Sequence, residues 1–191
     1  MKVVAFNGSP RKEGNTYQSL QVVIGELQKE GIETEVIQLG GKSIHGCTAC
    51  YKCFNSKDKE CSIKDDEVND YIRKMIEADG IIIGSPVYFS NVTSEVKAFI
   101  DRTGLVARAN DNLLKRKVGA GVVAVRRAGA TFAFSAINFF FFIQEMIVPG
   151  SIYWNLAIGR EPGEVQEDKE GMMTFKTLGQ NMAWLLKKIK A

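Results

Sequence analysis

The chain has one histidine in 191 residues, no uninterrupted apolar run of membrane length and almost no excess charge of either sign. Each shortage excludes something. His45 stands beside a cysteine-rich stretch and no Gly-x-Ser-x-Gly elbow accompanies it, which excludes Ser/His/Asp hydrolysis. A formal charge of +3 is too even for a nucleic-acid surface, so the expected partner is a small molecule. The most apolar stretch runs from Ala130 to Val148 through Phe139-Phe140-Phe141-Phe142 and is broken by Ser135, Asn138, Gln144 and Glu145. That reads as a buried or interface helix, with no membrane association. The opening Val3-Val4-Ala5-Phe6 gives way at Asn7-Gly8-Ser9-Pro10, too short for the core of a signal peptide, and a cytoplasmic location is expected. No internal repeat, linker or low-complexity block divides the chain.

What remains is the composition of an ordinary folded domain, 45% hydrophobic and 25% charged. At this length one core buries roughly 70% of the unfolded surface, so residues 1–191 are expected to form a single domain without staples. Apolar strand signals fall at Val3–Phe6, Glu33–Ile37, Ile81–Gly84, Val118–Val125 and around Ile147 to Trp154. Helical spacing separates them. Leu20, Val23/Ile24 and Leu27 mark a helix with Asn15 as N-cap and Gly31 as its stop, and Val68, Tyr71/Ile72 and Met75/Ile76 a second, capped by Asp65 or Asp66. Val92, Val96 and Phe99/Ile100 mark a third, capped by Asn91 or Thr93 and ended by Gly104. The Phe-rich helix follows, and Phe175, Leu178, Met182, Leu185 and Ile189 form the face of the last. Residues 161–170, with five acids against Lys169 alone, read as a solvated loop. Alternating strands and helices specify an α/β fold, a doubly wound parallel sheet with helices on both faces.

Two loops carry chemistry. Asn7-Gly8-Ser9-Pro10-Arg11-Lys12-Glu13-Gly14-Asn15-Thr16 joins the first strand to the first helix, at a strand end where open parallel sheets bind ligands. Backbone amides at a helix N-terminus favour an anion, and Ser9, Arg11, Asn15 and Thr16 add donors, so the loop suits phosphate. It is neither a Walker loop, since five residues separate Gly8 from Gly14, nor a G-x-G-x-x-G turn. After the third strand, Ser85-Pro86-Val87-Tyr88-Phe89-Ser90-Asn91-Val92 offers a rigid proline, two aromatics and free backbone amides to a planar heteroaromatic ring.

Gly-Ser-Pro-Arg with Gly-Asn-Thr, and Gly84-Ser85-Pro86-Val87-Tyr88-Phe89 leading to Lys97-Ala98-Phe99-Ile100-Asp101-Arg102, resemble the NADPH-dependent FMN reductase family of flavodoxin-like proteins. Arg127-Ala128-Gly129 and Tyr153-Trp154-Asn155 are similar to family features too, so the resemblance spans nearly the whole chain. It implies a five-stranded sheet in the order 2-1-3-4-5, FMN phosphate on the Ser9–Thr16 loop and the isoalloxazine against Pro86, Val87, Tyr88, Phe89 and Asn91. Arg127 and Gly129 would flank the ring. It implies NAD(P)H as co-substrate, a flavin, quinone or other small molecule as acceptor, and a homodimer or homotetramer in which the Phe-rich helix finds its partner.

The irregular segment from about residue 40 to 64 holds Cys47-x-x-Cys50-x-x-Cys53 and, further on, Cys61. Three thiolates so spaced can converge on one face of a 4Fe-4S cluster, with Cys61 closing it. Structural zinc usually takes ligand pairs set well apart, so the run is crowded for a tetrahedral ion. An iron-sulfur cluster, zinc, thiol/disulfide redox and a vestigial motif all remain open. The quartet narrows the resemblance to the iron-sulfur flavoprotein branch, which implies a carrier between FMN, the cluster and a ferredoxin-like donor. A zinc-stapled, non-redox interaction surface is the third reading. His45 is left out of the ligand set.

Overall fold

Val3-Val4-Ala5-Phe6 has no polar position because its strand is covered on both faces in the computed structural model, which describes residues 1–190. The sheet comprises β1 (Lys2–Asn7), β2 (Glu33–Gln38), β3 (Gly80–Pro86), β4 (Val118–Val125) and β5 (Leu156–Ile158). All pairings are parallel and the order is β2-β1-β3-β4-β5, as the resemblance implies. Alternate strand residues serve alternate layers. Val3 and Ala5 pack with α1 (Asn15–Lys29) and α6 (Lys169–Lys190). Val4 and Phe6 pack with α3 (Val68–Glu77), α4 (Ser94–Ala109) and α5 (Ala130–Ile143). A short helix, α2 (Lys52–Ser56), interrupts the segment expected to be irregular, and places Cys53 against the second layer. Among the described residues no helix is long and apolar enough to cross a membrane.

Several expectations need correction. The fifth strand does not run from Ile147 to Trp154: only Ile147 bridges Val118, and Ile152, Tyr153 and Trp154 are exposed. Pro149 has no N–H for a ladder, and the paired residues come later, at Leu156–Ile158 beside Val123–Val125. Nor does Gly104 end α4. It lies inside the helix, where a Cβ would stand 3.2 Å from Gln144 Nε2 and from the Phe140 ring, so glycine is what lets the end of α5 approach. Gly14, not Asn15, occupies the N-cap of α1, and Glu67 that of α3. Asp66 still accepts the Val68 N–H at 3.2 Å, and Thr93 caps α4 through the Val96 N–H. Gly31 follows α1 with φ +73, the left-handed turn that suits glycine. The acidic 161–170 stretch is not wholly solvated: a 3-10 turn at Glu164–Glu167 buries Val165, and α6 begins at Lys169.

Candidate functional site

The β1–α1 loop is shaped from beneath by two amides. Asn7 Nδ2 donates to Lys12 O at 3.1 Å and to Gln38 Oε1 at 2.8 Å, while Asn7 Oδ1 accepts the Ser9 N–H. Gln38 Nε2 then donates to Ser9 O and Gly40 O, both at 2.7 Å. From the other side Thr93 Oγ1 donates to Gly8 O at 3.0 Å, tying the start of α4 to the loop. The loop conformation is therefore set by the strand ends around it.

Above it opens a cleft of about 200 Å³, bordered by Ser9, Arg11, Asn15, Thr16, Pro86, Val87 and Tyr88. The two sequence loops thus meet in one place. Three features suit an anion there: among the described residues no side chain caps α1 and Thr16 Oγ1, on a residue 1% exposed, has no hydrogen-bond partner, and Arg11, Arg126 and Arg160 stand around the cleft. Ser9 Oγ already accepts the Arg11 N–H at 3.2 Å, which leaves its hydroxyl proton free. Asn15 is more committed. Its amide donates to Glu161 O at 2.9 Å and accepts the Gly163 N–H at 2.7 Å, so it also ties the β5–α6 connection to the cleft.

Not every expected residue borders the cleft. Tyr88 and Asn91 exchange backbone hydrogen bonds at 2.9 and 3.0 Å, and between them Phe89 and Ser90 take φ of 46° and 59°. That two-residue turn throws Phe89 fully into solvent and spends Asn91 Oδ1 on the Val92 N–H, so neither side chain lies with Pro86, Val87 and Tyr88. Gly129, at φ +85, passes so close that a Cβ would stand 2.8 Å from Ser90 Cα. Arg127 is exposed and outside the cleft. Its neighbour Arg126, with Ala124, Gly159 and Arg160, is there instead. Arg126 follows β4 and Gly159-Arg160 follow β5, so the rule that ligands bind at the strand ends would have found them. The misplaced fifth strand hid Gly159-Arg160.

The four cysteines border a second, much narrower hollow between the cysteine segment and α4. Cys47 and Cys50 are exposed, Cys53 is buried and Cys61 is half-buried. Ala49 and Tyr51 both adopt left-handed backbone, which folds the Cys47–Cys53 run back on itself. Ala49 N–H donates to Cys47 Sγ at 3.4 Å, and Cys50 Sγ lies 3.3 Å from Ser62 Oγ. The Ser62 hydroxyl, with the Lys52 N–H, pulls the Cys50 thiol down to about 7. Burial pushes that of Cys53 up. Among the described residues, no three His, Cys, Asp or Glu side chains close on a point that would hold one metal ion. A donor set of four thiols around a shared hollow suits the soft-ligand chemistry of an iron-sulfur cluster or of zinc.

A family model described as NADPH-dependent FMN reductase matches residues 1–161. An iron-sulfur flavoprotein of Methanocaldococcus jannaschii is 38% identical over 197 aligned residues, covering 100% of both chains. The crystal structure of RosB with a bound 8-demethyl-8-formylriboflavin 5'-phosphate intermediate superposes with a TM-score of 0.74 at 19% identity, over 100% of this chain and 80% of that one. A flavodoxin from the domain Archaea gives 0.62 at 17% identity, over 98% and 99%. At those identities the two structures speak for the fold, which is flavodoxin-like.

Proposed function

The chain belongs to the NADPH-dependent FMN reductase family, and from that premise we propose that this flavin oxidoreductase is an electron carrier pairing FMN with a 4Fe-4S cluster. One observation carries the reading: a single chain presents an anion-suited cleft at its strand ends and a separate hollow bordered by four cysteines. Ser9, Arg11 and Thr16 would hold the FMN phosphate at the uncapped start of α1, with Asn15 fixing the far wall. Pro86, Val87 and Tyr88 would line the ring, and the glycine at 129 admits the turn that shapes that wall. Cys47, Cys50, Cys53 and Cys61 would ligate the cluster. When bound, FMN exchanges electrons in pairs or singly and a cluster takes them singly, which is the chemistry such a carrier needs. No side chain is assigned a proton-transfer step.

Reduction of a flavin, quinone or other small acceptor directly by NAD(P)H is the second reading, favoured by the family's description. Anaerobic protein separates the two. The carrier should contain FMN, iron and acid-labile sulfide, give a paramagnetic signal when reduced, and accept electrons faster from a reduced ferredoxin than from NADPH. Protein without iron that reduces free flavin with NADPH at full rate would leave the simple reductase standing. Phe132, Phe139 and Phe142 on α5 are exposed, and Phe142 shares a groove with the exposed Tyr153 and Trp154, and we assign that apolar face to a second copy of the chain. Sedimentation should show a dimer or tetramer that Phe139→Asp weakens; a monomer at micromolar concentration would remove the assignment.

A further inference from the structure

Arg102 is 1% exposed and stands on the face of α4 that borders the cysteine hollow. Every hydrogen bond of its guanidinium goes to the segment that carries or flanks the cysteines. Nε donates to Cys61 Sγ at 3.4 Å, Nη1 to His45 O at 3.2 Å and to the Asp66 carboxylate, and Nη2 to Ile63 O at 3.2 Å. A buried cation is strongly disfavoured unless fully paired, and a match to this one segment is unnecessary for packing alone, where an apolar side chain would serve. Burial pushes the guanidinium down, but the bonds to Asp66 and Cys61 outweigh it and it stays charged. Asp66 is buried beside it, and the Asp66 carboxyl, pushed up by burial, is held below its usual range by Arg102 and the Val68 and His45 N–H groups.

We propose that Arg102 is a positioning residue that sets the reduction potential at the cysteine hollow, with a fixed positive charge and an N–H donated to the Cys61 sulfur, and that Asp66 moderates it. This rests on the reading that the four cysteines hold a 4Fe-4S cluster. Reduction adds one electron, and hence one unit of negative charge, without making or breaking a bond. A cation hydrogen-bonded to a ligating sulfur stabilises the reduced form, and a carboxylate nearby opposes it. The two residues should therefore act with opposite signs, which a purely structural clamp would not do.

The test is a dithionite titration of the anaerobic holoprotein, followed by the paramagnetic signal of the reduced cluster. Arg102→Gln should shift the ratio of reduced to oxidised cluster at least tenfold towards oxidised, about 59 mV more negative for one electron. Asp66→Asn should move it the other way. Arg102→Lys, which keeps the charge without the planar fork, should fall between Gln and the wild type. If Arg102→Gln does not fold, Asp66→Asn carries the test, since it retains the cation and the volume. A cluster of unmoved potential, or both variants shifting it the same way, overturns the role of Arg102 alone. Wild-type holoprotein lacking iron and sulfide overturns the cluster reading together with it.

Discussion

The phosphate cradle and the cysteine segment are both loops, yet they are held in opposite ways. The cradle spans the few residues between β1 and α1, and its ties come from the strand ends and helix start immediately around it, Asn7, Gln38 and Thr93. The cysteine segment contains only the short α2 and is stapled by side chains reaching in from helices. Asn69 on α3 accepts the Cys61 N–H at 2.7 Å and donates to Cys61 O and Ile63 O. Arg102 on α4 holds Cys61, His45 and Ile63, and Asn110 beyond it accepts the Lys59 N–H at 3.1 Å. One region is shaped by the fold, the other by a few buried polar groups. They nevertheless share α4, whose Thr93 end touches the cradle while Arg102 lies about 14 Å further along at 1.5 Å per residue.

The comparison breaks most sharply at Cys53. Cys53→Ala should eliminate iron, sulfide and the paramagnetic signal altogether while FMN stays bound, because no tie of the cradle passes through α2. Loss of FMN as well would mean the two regions are one cooperative unit. Arg11→Ala should do the converse, weakening FMN by about 10- to 150-fold through one charge-assisted hydrogen bond, with iron content unchanged. An unaltered dissociation constant would show that Arg11, whose Nη1 lies 3.5 Å from Arg160 O, serves the loop rather than the ligand. Gly40 is where the regions touch. A Cβ there would stand 2.3 Å from the Ser9 carbonyl carbon and 2.5 Å from Gly8 O, so Gly40→Ala must displace the cradle backbone. The expected cost is about 1–3 kcal/mol in urea unfolding, with FMN occupancy falling before iron content; equal losses would show that the cysteine segment leans on the cradle.

That difference also explains what could be read in advance. β1, β3 and β4 announce themselves as apolar runs because both faces of each are covered, and the cradle follows because its position at a strand end is a rule of the topology. β5 is three residues long and borders irregular chain, too short for periodicity to register, and with it went Gly159 and Arg160. Asn7 and Gln38 carry no pattern that separates a loop-shaping amide from any polar residue at a strand end. The cysteine spacing is legible, but the clamp around it is not. Arg102 stands in the sequence only as the end of the family-like run Lys97-Ala98-Phe99-Ile100-Asp101-Arg102, and only the third dimension turns it towards Cys61. Tertiary staples between distant positions leave no local signal, whereas backbone-made sites do.

The gentlest perturbation of the cradle is Thr16→Val, and its value lies in predicting two signs at once. The hydroxyl is buried without a partner, so in flavin-free protein it contributes an unrecovered desolvation cost. Valine keeps the shape and removes that cost, so flavin-free protein should gain about 1 kcal/mol and melt about 2–4 °C higher. If the same hydroxyl donates to the FMN phosphate, the variant should bind FMN about fivefold more weakly, a loss of about 1 kcal/mol. Calorimetric melting of flavin-free protein and an FMN titration of the same sample read both. A stabilised apoprotein with undiminished affinity would place the phosphate away from Thr16 and leave its orphaned hydroxyl as strain in the fold. A destabilised apoprotein would mean the hydroxyl already has a partner there, and the anion reading of the uncapped α1 terminus would then rest on Ser9 and the arginines alone.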